Sequence, residues 1–298
     1  MNELTTEFKD RIVEVIKNHS FKFTTDKAHA IKLGIDPAQF SRVLKGEREG
    51  VLSEKNWMLI ASVYNVPDNP QIFNWQTGYT AVYDYITKQL EACQSMGISG
   101  IFCDLADIGK SHAAKDYVSR HRNAIRVDCS LNKSRTELLR AMAREFGIYD
   151  GGSVRVLQKD LIQYMTSCTT PMVILDEFGD LSYPALLETK ALWNATEFKC
   201  GWYMMGADGL QKKLDLGRDN KKVGYAELWR RFGSKYQRIT PKSAQELHRF
   251  LLHEISQILK ANDSRYTPLQ MYKKTGGSLT RLYFEIKKEK TGITAISA

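Results

Sequence analysis

Residues 101–118 read IFCDLADIGKSHAAKDYV. An apolar strand runs into a loop, the loop closes on Gly109-Lys110-Ser111, and a helix-forming run follows. This is the layout of a phosphate-binding loop, in which backbone N–H groups and a helix N-terminus hold phosphates. Lys110 would reach the β- and γ-phosphates of a nucleotide, and Ser111 would offer its hydroxyl to Mg2+. Gly109 and His112 flank them and complete the nucleotide-binding set. Two positions depart from the pattern. The first glycine of G-x-x-x-x-G-K-[ST] falls at Asp104, and a second position that is often glycine falls at Asp107. Two carboxylates beside a triphosphate repel it unless they point away or pair with a base. Lys115 and Arg126 are the bases in view.

Sixty-six residues after Lys110 comes PMVILDEFGDL, an apolar strand ending in Asp176-Glu177. An acid there would bind Mg2+ through water, and the next would polarise the attacking water. Further on, GWYMMGADGL ends a strand near the polar Asp208. The segment ELWRRFGSKYQRI places Arg230 and Arg231 before a last strand, and GGSLTRLYFEIKK places Arg281 one turn into a helix.

Around these motifs, apolar runs alternate with amphipathic stretches. Strands are expected at 100–103, 124–129, 172–176, 201–206 and 236–239. Helices are expected at 110–120, 134–146, 154–167, 184–195 and 243–260. The alternation predicts an α/β core, a parallel sheet with helices on both faces. After Pro241 only helices follow. The expected organisation is a small all-helical domain at 1–66, a linker at 67–80, a core at 81–241 and a helical part at 242–298. The linker reading rests on VPDNPQIFNWQTG, with its prolines, asparagines and glycine.

The chain has 298 residues with 43% hydrophobic and 26% charged content, an ordinary globular composition. No apolar run reaches the roughly 18 residues needed to span a bilayer, and the N-terminus lacks the apolar segment of a signal peptide. Five cysteines form no C-x-x-C pair, which disfavours zinc and a disulfide framework. A cytoplasmic protein with no membrane partner is the expectation.

The net charge of +9 is uneven: residues 181–298 carry twenty-one basic and eleven acidic side chains. That excess points to a polyanion, and nucleic acid is the usual one. Ten bases fall within 208–242, among them Lys212, Lys213, Lys221 and Lys222 on a stretch read as a loop or a short helix with loops. These four are the expected non-specific contacts to double-stranded DNA.

In the N-terminal segment, DKAHAIKLGIDPAQFSRVLKGEREG reads as helix, turn, helix. Gly34 ends the first helix, Asp36 caps the second and Pro37 sits at its first position. Phe40, Val43 and Leu44 face inward, which leaves Gln39, Arg42 and Lys45 outward as candidate DNA contacts. This segment looks like the helix-turn-helix of phage repressors.

The ordered set of GKS, DE, polar strand end, arginine and GGSLTR resembles the AAA+ ATPases. More narrowly, the chain resembles the phage Mu transposition protein B group, whose members also begin with a small repressor-like helical domain. The resemblance implies the following. Lys110, Ser111, Asp176 and Glu177 take the nucleotide and Mg2+ roles. Asp208 is the first sensor, where the family more often has Asn or Thr. Arg230 or Arg231 is the arginine finger, and Arg281 is the second sensor. It also implies DNA-stimulated ATP hydrolysis, homo-oligomeric rings or helical filaments on DNA, and activation of a partner transposase in the integration of a mobile element. A competing reading is a repressor-like transcription regulator with a degenerate nucleotide domain, favoured by Asp104 and Asp107. An ATPase of a secretion or replication machine is a third.

Overall fold

The computed structural model describes residues 4–64, 66–67 and 73–292; part of the expected linker, residues 68–72, lies outside them. Helices α1 (Thr6–His19), α2 (Asp26–Leu33), α3 (Pro37–Leu44) and α4 (Glu54–Val63) form a bundle. Its core contains Ile12, Ile16, Phe40, Val43, Trp57 and Ile60. Gly34 ends α2 at φ +70°, and Asp36 Oδ1 receives the amides of Ala38 and Gln39 to start α3.

The remaining elements run α5 (Ala81–Met96), β1 (Ser99–Cys103), α6 (Lys110–Arg120), β2 (Ala124–Asp128), α7 (Arg135–Phe146), α8 (Val154–Ser167), β3 (Met172–Asp176), α9 (Tyr183–Ala195), β4 (Gly201–Gly206), α10 (Asp208–Asp219), α11 (Tyr225–Arg231), β5 (Tyr236–Gln237), α12 (Ala244–Ala261), α13 (Pro268–Thr275) and α14 (Leu279–Thr291). Caps set many of these boundaries. Ser134 and Glu137 form a reciprocal box at the start of α7, and Gly147 ends it in the left-handed region.

Among the described residues five strands form one parallel sheet, in the order β2-β3-β4-β1-β5. Parallel neighbours need crossovers, which the helices supply on both faces. Side chains alternate between two cores. Ile101, Cys103, Trp202 and Met204 face one, and Phe102, Tyr203 and Met205 face the other. The structure is therefore the expected α/β core. The carboxyl ends of β1, β3 and β4 share one edge, where ligands bind in open parallel sheets.

Of the two readings of 210–225, the structure shows the short helix with a turn after it: α10 ends at Asp219. Its Gly217 is a packing site, because a Cβ there would come within 2.2 Å of the Tyr225 ring. Strand β5 differs from expectation: it is two residues long, because Arg238, Ile239 and Thr240 leave the sheet to serve Asp104.

The bundle meets the core where Lys32 pairs with Glu145, and where a Cβ on Gly147 would sit 2.5 Å from the Ala28 carbonyl. Among the described residues no helix is long and apolar enough to cross a membrane. The five cysteines are free thiols, and only Cys168 is not buried.

Candidate functional site

At the carboxyl end of β1 the chain turns through 104–109 into α6. Gly109 takes φ +92° and leaves the first amides of α6 open toward a cavity of about 1050 Å³. Gly109, Lys110, Ser111, His112 and Glu177 line it. Lys110 is 5% exposed. Its Nζ donates to the Asp104 carbonyl at 3.1 Å and to the Leu105 carbonyl. Burial lowers its pKa, while Glu177, Asp104 and Asp176 oppose the shift. A cation held only by carbonyls beside open amides is poised to receive an anion. His112 is held by a hydrogen bond between its Nε2 and the Thr77 hydroxyl, 3.0 Å apart.

Asp104 is fully buried and points away from the cavity. It accepts from the amides of Ile239 (2.8 Å) and Thr240 (3.0 Å) and from the Thr240 hydroxyl, with Arg238 at 3.5 Å. Asp107 reaches toward α14 and accepts from Ser278 and Thr280. The expected neutralising bases are thus corrected: Arg238 serves Asp104, and Arg126 is engaged at β3.

There Asp176, fully buried, accepts from Arg126 Nε at 2.8 Å, and Arg126 also reaches Asp128 at 3.0 Å. Asp176 Oδ1 receives only the Glu177 amide among the described contacts, which leaves it acceptor capacity. A serine hydroxyl and a carboxylate are the hard oxygen donors that suit Mg2+; Ser111 lines the cavity, whereas Asp176 lies buried behind it and does not. Arg126 already balances the carboxylate's charge. Glu177 takes φ +53°, an uncommon conformation for a non-glycine residue. Burial raises its pKa, Asp176 adds to the rise and Lys110 opposes it.

Other expected residues lie elsewhere. Asp208 heads α10 and pairs with Arg238 at 3.8 Å; it does not line the cavity. Arg281 is exposed and also does not line it, because the inward face of α14 carries Thr280, Tyr283 and Lys287. One residue along a helix is a turn of about 100°. Arg231 lies over the Trp193 ring at 5.3 Å, whereas Arg230 is exposed at the end of α11. Lys213 Nζ donates to the Gly179 carbonyl at 2.6 Å and to that of Leu181, so it serves the fold rather than an exposed phosphate surface. Lys212, Lys221 and Lys222 are exposed, with Lys222 Nζ 4.1 Å from the Tyr183 ring centroid. On α3, Arg42 is engaged by Glu47 at 2.6 Å and Gln39 is half-buried; Lys45, just after the helix, is exposed.

The linker reading needs correction over residues 73–80, which form one wall of the cavity. Trp75 packs against Tyr283 of α14 at 5.1 Å between ring centroids, with Phe73 beside both. Both backbone groups of Gln76 pair with the Asn262 side chain, at 2.9 and 2.8 Å. A Cβ on Gly78 would meet the Ile258 Cα at 2.8 Å, so only glycine lets the segment lie this close to α12. Aromatic wall residues of this kind suit a nucleobase face. The three aromatics in FNWQTGY were the available signal, since a solvated linker has little use for them.

Comparison with known proteins agrees with this architecture. The family described as AAA domain matches residues 100–214, a span that contains Lys110, Ser111, Asp176 and Glu177. The chain is 23% identical over 274 residues to the Mu-like prophage FluMu DNA transposition protein B of Haemophilus influenzae. The match covers 90% of this chain and 92% of that protein. Both findings bear out the resemblance to the AAA+ ATPases and to the transposition protein B group.

Proposed function

We propose, from the premise of an AAA domain over residues 100–214, that this chain is an ATP-dependent DNA-binding ATPase that regulates a transposase. The carrying observation is the convergence of the α6 N-terminus, Lys110 and Glu177 on one cavity walled by Trp75 and Tyr283. Lys110 would exchange its carbonyl partners for the β- and γ-phosphates. Glu177 would orient and polarise the attacking water, a role that its raised pKa suits. When bound at Ser111 and Asp176, Mg2+ would supply charge neutralisation at the phosphates. Arg230, exposed at the end of α11, is the finger offered to a neighbouring subunit in a ring or helical filament. ATP would favour assembly on double-stranded DNA, and hydrolysis would release it. Lys212, Lys221 and Lys222 would contact phosphates, with Gln39 of α3 and Lys45 at its end as a second DNA surface. The transposase partner is carried over from the DNA transposition protein of the similar chain. Asp104 and Asp107 favoured a degenerate nucleotide domain. Asp104 points away from the cavity, and Asp107, on its wall, is paired with Ser278 and Thr280, which weakens the case for a repressor-like regulator.

The test is fluorescence anisotropy of a random duplex with ATP, with ADP and without nucleotide, beside Lys110→Ala. Tight, salt-sensitive binding is expected only with ATP, and it should be lost in the variant. Equal, nucleotide-independent binding by both proteins would overturn the reading. In the same assay, replacing Lys212, Lys221 and Lys222 by glutamine should flatten the slope of log affinity against log salt. The expected change is about 0.9 for each DNA phosphate that is no longer neutralised. An unchanged slope would remove α10 and the turn after it from the DNA surface.

A further inference from the structure

The phosphate loop is fastened to the last helix by one side chain. Asp107 takes φ +59°, a left-handed conformation that aspartate tolerates better than most residues. From there its carboxylate crosses to the start of α14. One oxygen accepts from the Ser278 hydroxyl, and the other from the Thr280 amide at 3.0 Å and the Thr280 hydroxyl. The Asp107 carbonyl receives the Leu279 amide at 3.3 Å. The first two amides of α14 are therefore capped by the phosphate loop, and the third, of Arg281, is capped by Ser278. A carboxylate at a helix N-terminus is stabilised by the helix dipole. That pairing accounts for an acid within a loop that is to hold phosphates.

The same helix carries Thr280, Tyr283 and Lys287 on the cavity wall. At its far end Glu289 accepts from the Ser264 hydroxyl and from the Arg265 amide at 2.8 Å. A displacement of the loop thus reaches the turn between α12 and α13 through one rigid element.

We propose that Asp107 is a positioning residue that transmits nucleotide occupancy from the phosphate loop through α14 to the helical part of the protein. When phosphates draw the loop amides toward them, Asp107 carries the α14 N-terminus along. Glu289 then shifts the 264–275 segment, which does not line the cavity. This inference rests on the nucleotide-binding reading.

The experiment has two readouts on the full chain: titration with a fluorescent ADP analogue, and hydrogen exchange of the 264–275 segment with and without ADP. In the wild type, ADP should change exchange of that segment by about fivefold or more. Asp107→Gly should still bind ADP, since the loop amides and Lys110 remain, yet lose the ADP-dependent change. Asp107→Asn keeps the backbone preference and one acceptor, so it should retain part of the change, and it serves if the glycine variant fails to fold. Full ADP-dependent change in either folded variant overturns the coupling. So does loss of ADP binding in a folded variant, which would make Asp107 part of the binding site. A wild type that binds no ADP at all would instead bring down the nucleotide reading itself.

Discussion

Replacing Asp104 by glycine, which restores the residue that phosphate loops carry at that position, should destabilise the protein by about 3–5 kcal/mol. Asp104 is fully buried and gathers the amides of Leu105, Ile239 and Thr240, the Thr240 hydroxyl and Arg238. Thr240 is itself 4% exposed, so water does not readily replace the lost acceptor. Each buried donor left unpaired costs about 1–3 kcal/mol. The loss falls on the sheet edge, where only Tyr236 and Gln237 pair with β1. Thermal unfolding should show a midpoint about 10 °C lower, at roughly 2–4 °C per kcal/mol for a chain of this size. Asp104→Asn, which keeps one acceptor oxygen, should fall between. A glycine variant as stable as wild type would mean that the 238–240 turn finds other partners.

The second large effect is expected at Arg126. Replacement by methionine keeps the aliphatic bulk but strands the fully buried carboxylate of Asp176, which Arg126 holds at 2.6 Å. Removing one partner of a buried ion pair costs about 3–5 kcal/mol, because the other charge stays in a poorly solvating site. Denaturant unfolding measures this directly. Mg2+ should recover more stability in the variant than in wild type, since the freed carboxylate has no cation of its own. Equal stability with and without the arginine, at any Mg2+ concentration, would show that Asp176 does not depend on the pair.

The local pattern of this chain was legible because its signals are local. Val173, Ile174 and Leu175 make an apolar run that ends at an acid, and Ser153 and Ser243 cap the helices that follow them. Gly109-Lys110-Ser111 announces its turn for the same reason. What sequence could not disclose was which distant group answers each charge. Asp104 is answered by residues 238–240 and Asp107 by residues 278–280, and no spacing rule connects such positions. Asp208 looked free to act at the strand end until Arg238 came to lie beside it. Arg281 shares its helical turn with Thr280 but faces another way. The 73–80 wall was hidden by neighbouring prolines and asparagines, which carry a stronger turn signal than Trp75 carries a packing one. At α10 the reading stayed open between loop and short helix, because the reason for Gly217, the Tyr225 ring, lies across a turn.

The same long-range ties order events during biosynthesis. A nascent chain that has just emerged through Ser111 holds every phosphate-loop residue, but neither the 238–240 turn nor the 278–280 cap. At about 5–20 residues per second, the ribosome needs on the order of ten seconds to supply the first and longer for the second. Until then Asp104 and Asp107 have no partners to draw them away from the loop, and two carboxylates confront any arriving phosphate. A fragment that ends before residue 238 is therefore expected to bind nucleotide more weakly than the chain that includes residues 238–240 and 278–280.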